Sequence, residues 1–348
     1  MQPGAMPLLT DLLKAVSRSF YLTLRVLPAA VRPQIGLAYL LARTTDTIAD
    51  TELVPVARRL AALHELRARI LDGNVATVSF KLLVNELAAA QPQNPGGGTN
   101  AERVLLDRAG EAVGLLENFP LADRQLIRAV LTTITNGQEL DLNRFTAARA
   151  DNIVALESDA DLDDYTYRVA GSVGEFWTKM CRAHLFPAAP LDDAALLRDG
   201  VRFGKGLQLV NILRDLPRDL RQGRCYLPAE RLARVQLAPR DLLDSANAPR
   251  LRPAYDELLD LAEAHLAAGW SYTNALPRSA MRVRLACAWP ILIGVKTLAR
   301  LRRENPLDAE RRVKVSRAEV WRMIGATLVR YPFANSWERL FERAKQCG

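Results

Sequence analysis

Carboxylates spaced by four within apolar, helix-patterned stretches occur twice in this chain and constrain its fold more than any other feature. They are Asp46 and Asp50 in ARTTDTIAD, and Asp215 and Asp219 in NILRDLPRD. An α-helix turns ~100° per residue, so residues four apart are stacked neighbours on one face. Each pair extends into a longer polar stripe. Tyr39, Arg43, Asp46 and Asp50 follow at steps of four, three and four, and Gln208, Asn211, Asp215 and Asp219 at steps of three, four and four. Leu207, Leu209, Val210, Ile212 and Leu213 surround the second stripe and read as buried, so its polar groups are expected to face an enclosed site. Two such helices facing each other would hold four carboxylates around one cavity. Converging carboxylates repel and are costly to desolvate unless a cation lies between them. Mg²⁺, or Mn²⁺ in its place, suits such a set, because it takes a few carboxylates together with substrate phosphate oxygens. A phosphorylated substrate is the expectation. A single pair is more often a solvated face bound to Lys or Arg; two pairs, each continued by arginine or amide residues, favour the metal reading.

The charge balance agrees with anionic ligands. The 47 Lys and Arg outnumber the 39 Asp and Glu, giving a formal charge of +8, which favours phosphorylated substrates, an anionic membrane surface or nucleic acid. Arginine is spread along the chain, with no zinc spacing and no aromatic RNA-binding signature, so nucleic acid is not expected. Cys181, Cys225, Cys287 and Cys347 have neither metal-type nor redox-type spacing and read as reduced thiols. Asp11 and Lys14 interrupt the first apolar stretch, which argues against a signal peptide. The longest apolar run, Leu285 to Val295, is too short to span a bilayer. The expected location is cytoplasmic, with peripheral contact at the inner membrane face allowed.

The pattern is helical almost throughout, with no sustained alternation of strand type, and predicts an all-α chain of roughly a dozen helices in one domain, residues 1–348. QPQNPGGGTN, residues 91–100, reads as a surface loop; no Gly-Lys-Ser/Thr follows its glycines, so it is no phosphate loop. Further breaks fall at Phe119-Pro120, Pro187 to Pro190, Gln222-Gly223, Pro239 and Pro277. In DDYTYRVAGSVGEFW, residues 163–177, Tyr165, Val169, Ser172 and Phe176 form one stripe beside Ala170, Gly171 and Gly174. These small residues suit either close helix packing or a channel wall. LACAWPILIGVKTL, residues 285–298, carries a proline expected to kink a helix, as buried core or as the wall of an apolar tunnel. Residues 318–348 form an amphipathic segment that either packs on the domain or lies on an anionic membrane.

Four blocks, SRSF (17–20), YLLARTTDTIAD (39–50), YTYRVAGSVGE (165–175) and LQLVNILRDLPRDLRQGRCYLP (207–228), resemble in order and spacing those of the squalene and phytoene synthase family of head-to-head prenyl transferases. CAWPILIGVKTL (287–298) and RVKVSR (312–317) look more like the squalene synthases, most like a bacterial one. The resemblance implies an isoprenoid-synthase fold, a helical bundle around a central cavity. It implies that Asp46, Asp50, Asp215 and Asp219 bind the diphosphates of two farnesyl diphosphates through Mg²⁺. It assigns Arg18, Arg43 and Arg224 to diphosphate, Ser17, Phe20, Tyr39, Gln208 and Asn211 to the substrate site, and Tyr165 to the family's active-site tyrosine. The implied reaction forms presqualene diphosphate and, with hydride from NADPH, squalene; Lys314 and Arg317 are the candidate contacts to NADPH phosphates.

The chain departs from the family pattern in four places. Ala49 and Arg218 stand where an acidic residue often precedes the second aspartate of each pair, Pro217 lies between Asp215 and Asp219, where it could kink or end the helix, and Arg168 replaces a smaller or aromatic residue. Rival readings are a phytoene or dehydrosqualene synthase, which omits reduction, and a non-catalytic assembly factor on the same fold. The sequence sets no oligomeric state.

Overall fold

The computed structural model describes residues 12–16, 20–51, 53–72, 84–87, 89 and 99–346, with backbone only at Phe20, Tyr21, Thr99 and Asn100. Ser17 and Arg18, the side chain of Phe20 and most of the 91–100 loop therefore lie outside the described residues. Backbone proximity divides the chain into two compact units, Met1–Thr146 with Lys179–Pro187, and Ala147–Thr178 with Ala188–Gly348.

The first unit is built on α1 (Arg32–Asp50), α2 (Val56–Asp72), α3 (Thr99–Asp107) and α4 (Leu121–Arg144). Pro33 suits the first turn of α1, where a missing N–H costs nothing. The helix tolerates its run of β-branched threonines because their hydroxyls bond back along it. Thr44 Oγ1 donates to Leu40 O at 2.9 Å and Thr47 Oγ1 to Arg43 O at 2.8 Å, so no hydroxyl is stranded in the core. Arg59 of α2 closes the far end of α1, its Nη1 donating to Ala49 O at 2.6 Å. Leu37, Leu40, Leu41 and Ile48 of α1 are buried, as are Leu63, Leu66 and Ile70 of α2 and Ile127, Leu131 and Ile134 of α4. The three helices pack on one another through these residues.

The second unit contains β1 (Val154–Leu156), α5 (Asp159–Thr166), a π-helical turn at Tyr167–Gly171, and the start of α6 (Ser172–Leu185). It continues with α7 (Asp193–Arg221), β2 (Arg224–Pro228), α8 (Ala248–Ala275), α9 (Met281–Leu301), α10 (Arg317–Arg330), α11 (Ala334–Glu338) and α12 (Leu340–Gln346). Side-chain caps mark the helix starts. Ser158 and Asp161 form a capping box on α5, Asp192 accepts from Ala195 N at 3.0 Å on α7, and Ser316 and Glu319 form a second box on α10. The principal contact is α7 along α8, and the N-terminal half of α7 also meets the π turn and α6. Glycines set that second approach: a Cβ at Gly174 would lie 1.9 Å from Gly200 O, and one at Gly204 would lie 2.1 Å from Ala170 O. The small residues of 163–177 thus serve close backbone packing.

Two features were absent from the sequence reading. One is the π turn, which lies within the stretch from Tyr165 to Phe176; π turns are uncommon and cluster at functional sites. The other is a two-stranded parallel ribbon of β1 and β2. Gly223, at φ +79°, turns the chain from α7 into β2, where any side chain would strike the Arg149 backbone. Pro217 and Pro290 both lie inside continuous helices, α7 and α9, although an interior proline costs ~3 kcal/mol. Around Pro290, Leu285 to Leu292 are almost wholly buried, which makes this stretch core. Among the described residues no helix is long and apolar enough to cross a membrane.

Part of the C-terminal segment packs on the domain, as expected. Trp337 stacks on Trp270 at 5.3 Å, its Nε1 donates to Asn274 Oδ1 at 2.7 Å, and Leu340 and Phe341 are buried. Trp321 and Phe333, by contrast, are 61% and 65% exposed, and Leu328 and Val329 are exposed with them.

Candidate active site

The first aspartate pair lies in the last turns of α1. Asp46 is half-buried and accepts from Gln138 Nε2 of α4 at 2.6 Å, while Asp50, the last residue of the helix, is exposed. Desolvation, and then the charge of Asp50, push the Asp46 pKa up to about 6, against the smaller opposing effects of Arg43 and the Gln138 hydrogen bond. A carboxylate raised by burial and by a like charge one turn away would be stabilised in its charged form by a bound cation. Arg43, one turn before Asp46, pairs with Glu102 of α3 at 2.5 Å. Burial lowers the Arg43 pKa, but Asp46 and Glu102 more than offset it, so the guanidinium stays charged. Two buried polar atoms here lack a hydrogen-bond partner: Arg43 Nε, a donor, and Gln138 Oε1, an acceptor. Tyr39 is half-buried one turn further back.

The second pair has the opposite electrostatic balance. Asp215 is half-buried, and Arg214 grips both its oxygens, Nε to Oδ1 at 3.0 Å and Nη2 to Oδ2 at 2.5 Å, while Arg312 Nη2 approaches Oδ1 at 3.3 Å. Burial raises the Asp215 pKa, but the Arg214 hydrogen bonds with the charges of Arg214, Arg312 and Arg218 outweigh it and hold it below its usual value. The helix does not end at Pro217. It runs on to Arg221 and keeps half-buried Asp219 one turn beyond Asp215. Arg218 is exposed and acts on Asp215 through its charge. Gln208 is half-buried, whereas Asn211 is exposed, which corrects the expectation of a uniformly enclosed stripe.

Tyr165, at the end of α5, is buried and stacks on Tyr226 of β2, with ring centroids 4.8 Å apart and planes inclined by 25°. The ribbon therefore has a local purpose: it carries Tyr226 onto Tyr165 and presents Arg224 at the start of β2. Arg168 is tied to Asp164 at 2.7 Å along its own helix. Lys314 and Arg317 are exposed, on either side of the α10 cap residue Ser316. Ser316 N already donates to Glu319 Oε2 at 3.0 Å, and Glu319 N to Ser316 Oγ at 3.3 Å. A phosphate there would be held by the two cationic side chains rather than by those amides.

Among the described residues no three His, Cys, Asp or Glu side chains gather as a metal cluster. Each pair by itself would suit a magnesium ion that completes its shell with substrate oxygens and water, as Mg²⁺ commonly does. The fit is closer at Asp46 and Asp50, two carboxylates one turn apart of which the first is raised by burial and by the second, and indirect at Asp215, whose charge arginines already balance. Gln138, Glu102, Arg214, Arg312 and Tyr226 went unrecognised in the sequence. Arg214 and Tyr226 lay inside the 207–228 block and Arg312 opened RVKVSR, while Gln138 and Glu102 carried no signal there.

Comparison with known proteins agrees with this geometry. The profile of the family described as squalene/phytoene synthase matches residues 13–319. A presqualene diphosphate synthase of Zymomonas mobilis is 30% identical over 254 residues, covering 73% of this chain and 70% of that protein. A 15-cis-phytoene synthase of Synechocystis sp. is 29% identical over 279 residues, covering 79% and 68%. A solved structure of TcSQS with the ligand E5700 superposes with a TM-score of 0.71 at 21% identity, over 99% of this chain and 98% of that one. The expected all-α isoprenoid-synthase fold is borne out, and the chain belongs to the squalene/phytoene synthase family.

Proposed function

We propose that this enzyme condenses two farnesyl diphosphates head to head into presqualene diphosphate and, with NADPH, carries that product on to squalene. The observation that carries the reading is Asp46, a desolvated carboxylate one turn from Asp50 that accepts from Gln138 and lies next to Arg43, an arginine with an unpartnered buried donor. Magnesium held by the aspartates would supply positive charge against the departing diphosphate. Arg43 beside the first pair and Arg224 after the second add fixed positive charge for a departing diphosphate, which takes the electron pair of the broken allylic C–O bond. Gln138 keeps Asp46 oriented with its carboxylate available. The double bond of the second farnesyl chain attacks the resulting cation, and loss of a proton closes a cyclopropane. The Tyr165 ring, clamped by Tyr226, offers a cation-stabilising face, and its oxygen or the released diphosphate accepts the proton. Lys314 and Arg317 are assigned to NADPH phosphates.

The Zymomonas relative's name supports the first half of this reaction and favours a second reading, in which turnover ends at presqualene diphosphate. The exposed Trp321, Leu328, Val329 and Phe333, close in sequence to exposed Arg322 and Arg339, fit an anionic membrane surface, to which the apolar product would pass. Turnover of farnesyl diphosphate by Asp46→Asn and Asp215→Asn tests the site. Each is expected to fold and to lose activity by about 100-fold or more, the scale of removing one element of transition-state charge stabilisation. Unchanged turnover would refute the assignment and leave a helical scaffold or assembly role.

A further inference from the structure

A proline in a helix cannot serve the carbonyl four residues earlier. In α7 that proline is Pro217, between Asp215 and Asp219, and the carbonyl is that of Leu213. Yet α7 continues unbroken to Arg221. Tyr255 of α8 supplies a donor from outside the helix: its Oη donates to Leu213 O at 2.9 Å in a buried contact. The ring is fully enclosed, and Arg252, one turn earlier on α8, lies 5.7 Å from its centroid while its Nη1 donates to Leu301 O at 3.1 Å. Burial also drives the phenol pKa upward, so the hydroxyl remains a donor across the working pH range.

We propose that Tyr255 is the positioning residue of the second aspartate pair, replacing from α8 the backbone hydrogen bond that Pro217 deletes and so holding Asp219 in helical register with Asp215. This role rests on the reading of Asp215 and Asp219 as ligands of a magnesium–diphosphate group. Tyr255 touches no substrate in it. The departure that most threatened the second motif, a proline between its two carboxylates, thereby has its compensation in a residue 38 positions away.

The test is a double-mutant cycle of Tyr255→Phe, Pro217→Ala and both together in the full-length protein. Two quantities are read: the unfolding midpoint without ligand, and the Mg²⁺ concentration giving half of the stabilisation produced by Mg²⁺ with inorganic pyrophosphate. Tyr255→Phe should lower the midpoint and raise that concentration about fivefold, the weight of one buried hydrogen bond. Pro217→Ala restores a backbone N–H opposite Leu213 O, so the double variant should respond to Mg²⁺ as Pro217→Ala does. A shift of the unfolding midpoint with no change in Mg²⁺ response would overturn the positioning role, as would a double variant no better than Tyr255→Phe. Should Tyr255→Phe not fold, the double variant decides: folded with the Pro217→Ala response it supports the proposal, and unfolded it refutes it. A wild type that answers Mg²⁺ and pyrophosphate but leaves farnesyl diphosphate untouched refutes the proposed reaction alone; one that gives no response refutes the metal assignment and this role together.

Discussion

His265 shows how a single half-buried group ties the stability of this protein to pH. Burial first, and then the charges of Arg202 and Lys205, push its pKa from 6.5 to about 4, against the opposing pull of Asp163. Its Nδ1 sits 3.5 Å from Arg202 Nε, an arrangement that suits the neutral ring. Between these two values the unfolded chain binds a proton that the native one does not, so stability rises with pH across the window. Acidification from pH 6.5 to 4 should therefore erode the urea midpoint, and His265→Gln should flatten that part of the profile; an identical slope in both proteins would exclude His265 as its source. Asp46 and Asp215 show the same sensitivity to neighbours. Their motifs look alike in the sequence, yet at one carboxylate burial and Asp50 outweigh Arg43 and at the other Arg214 and Arg312 outweigh burial. The spacing of the aspartates was legible because it is local. Gln138 and Arg312 were not, because each meets its aspartate across more than 90 residues of chain, and no periodicity encodes such a contact.

At the scale of elements, glycine decides where helices come closest. Gly174 and Gly204 let the backbones of α6, the π turn and α7 touch, and a methyl at either would overlap a carbonyl oxygen. Gly174→Ala should cost about 3 kcal/mol or more in denaturant unfolding, at the upper end of overpacking effects. Gly325→Ala, in the exposed face of α10 with nothing within 4 Å of the added methyl, should stabilise by about 0.5–1 kcal/mol. Equal effects would contradict the packing argument. Long helices were readable from their apolar period, and the breaks at Pro120, Pro187 to Pro190, Gly223 and Pro277 fall between elements. The ribbon was not readable, since strands of three and five residues are too short to show alternation and are held by each other. Nor was the continuity of α7 through Pro217, because local propensity points to a break and the remedy lies on α8.

For the whole molecule, the sequence motifs carried the family assignment, while the finer chemistry depends on the charge balance at each aspartate pair. The exposed aromatic residues after Ser316 give a separate expectation. The protein should float with vesicles containing anionic lipid at low salt, dissociate as salt is raised, and lose most of that binding in a Trp321→Ser/Phe333→Ser variant; equal flotation with neutral lipid would count against the basic surroundings having a part. The proposed reaction is tested by incubating the purified protein with farnesyl diphosphate and Mg²⁺, with and without NADPH, and identifying the products. Presqualene diphosphate is expected without the cofactor and squalene with it. Presqualene diphosphate under both conditions would contradict the reductive step, and no consumption of farnesyl diphosphate would contradict the proposed reaction as a whole.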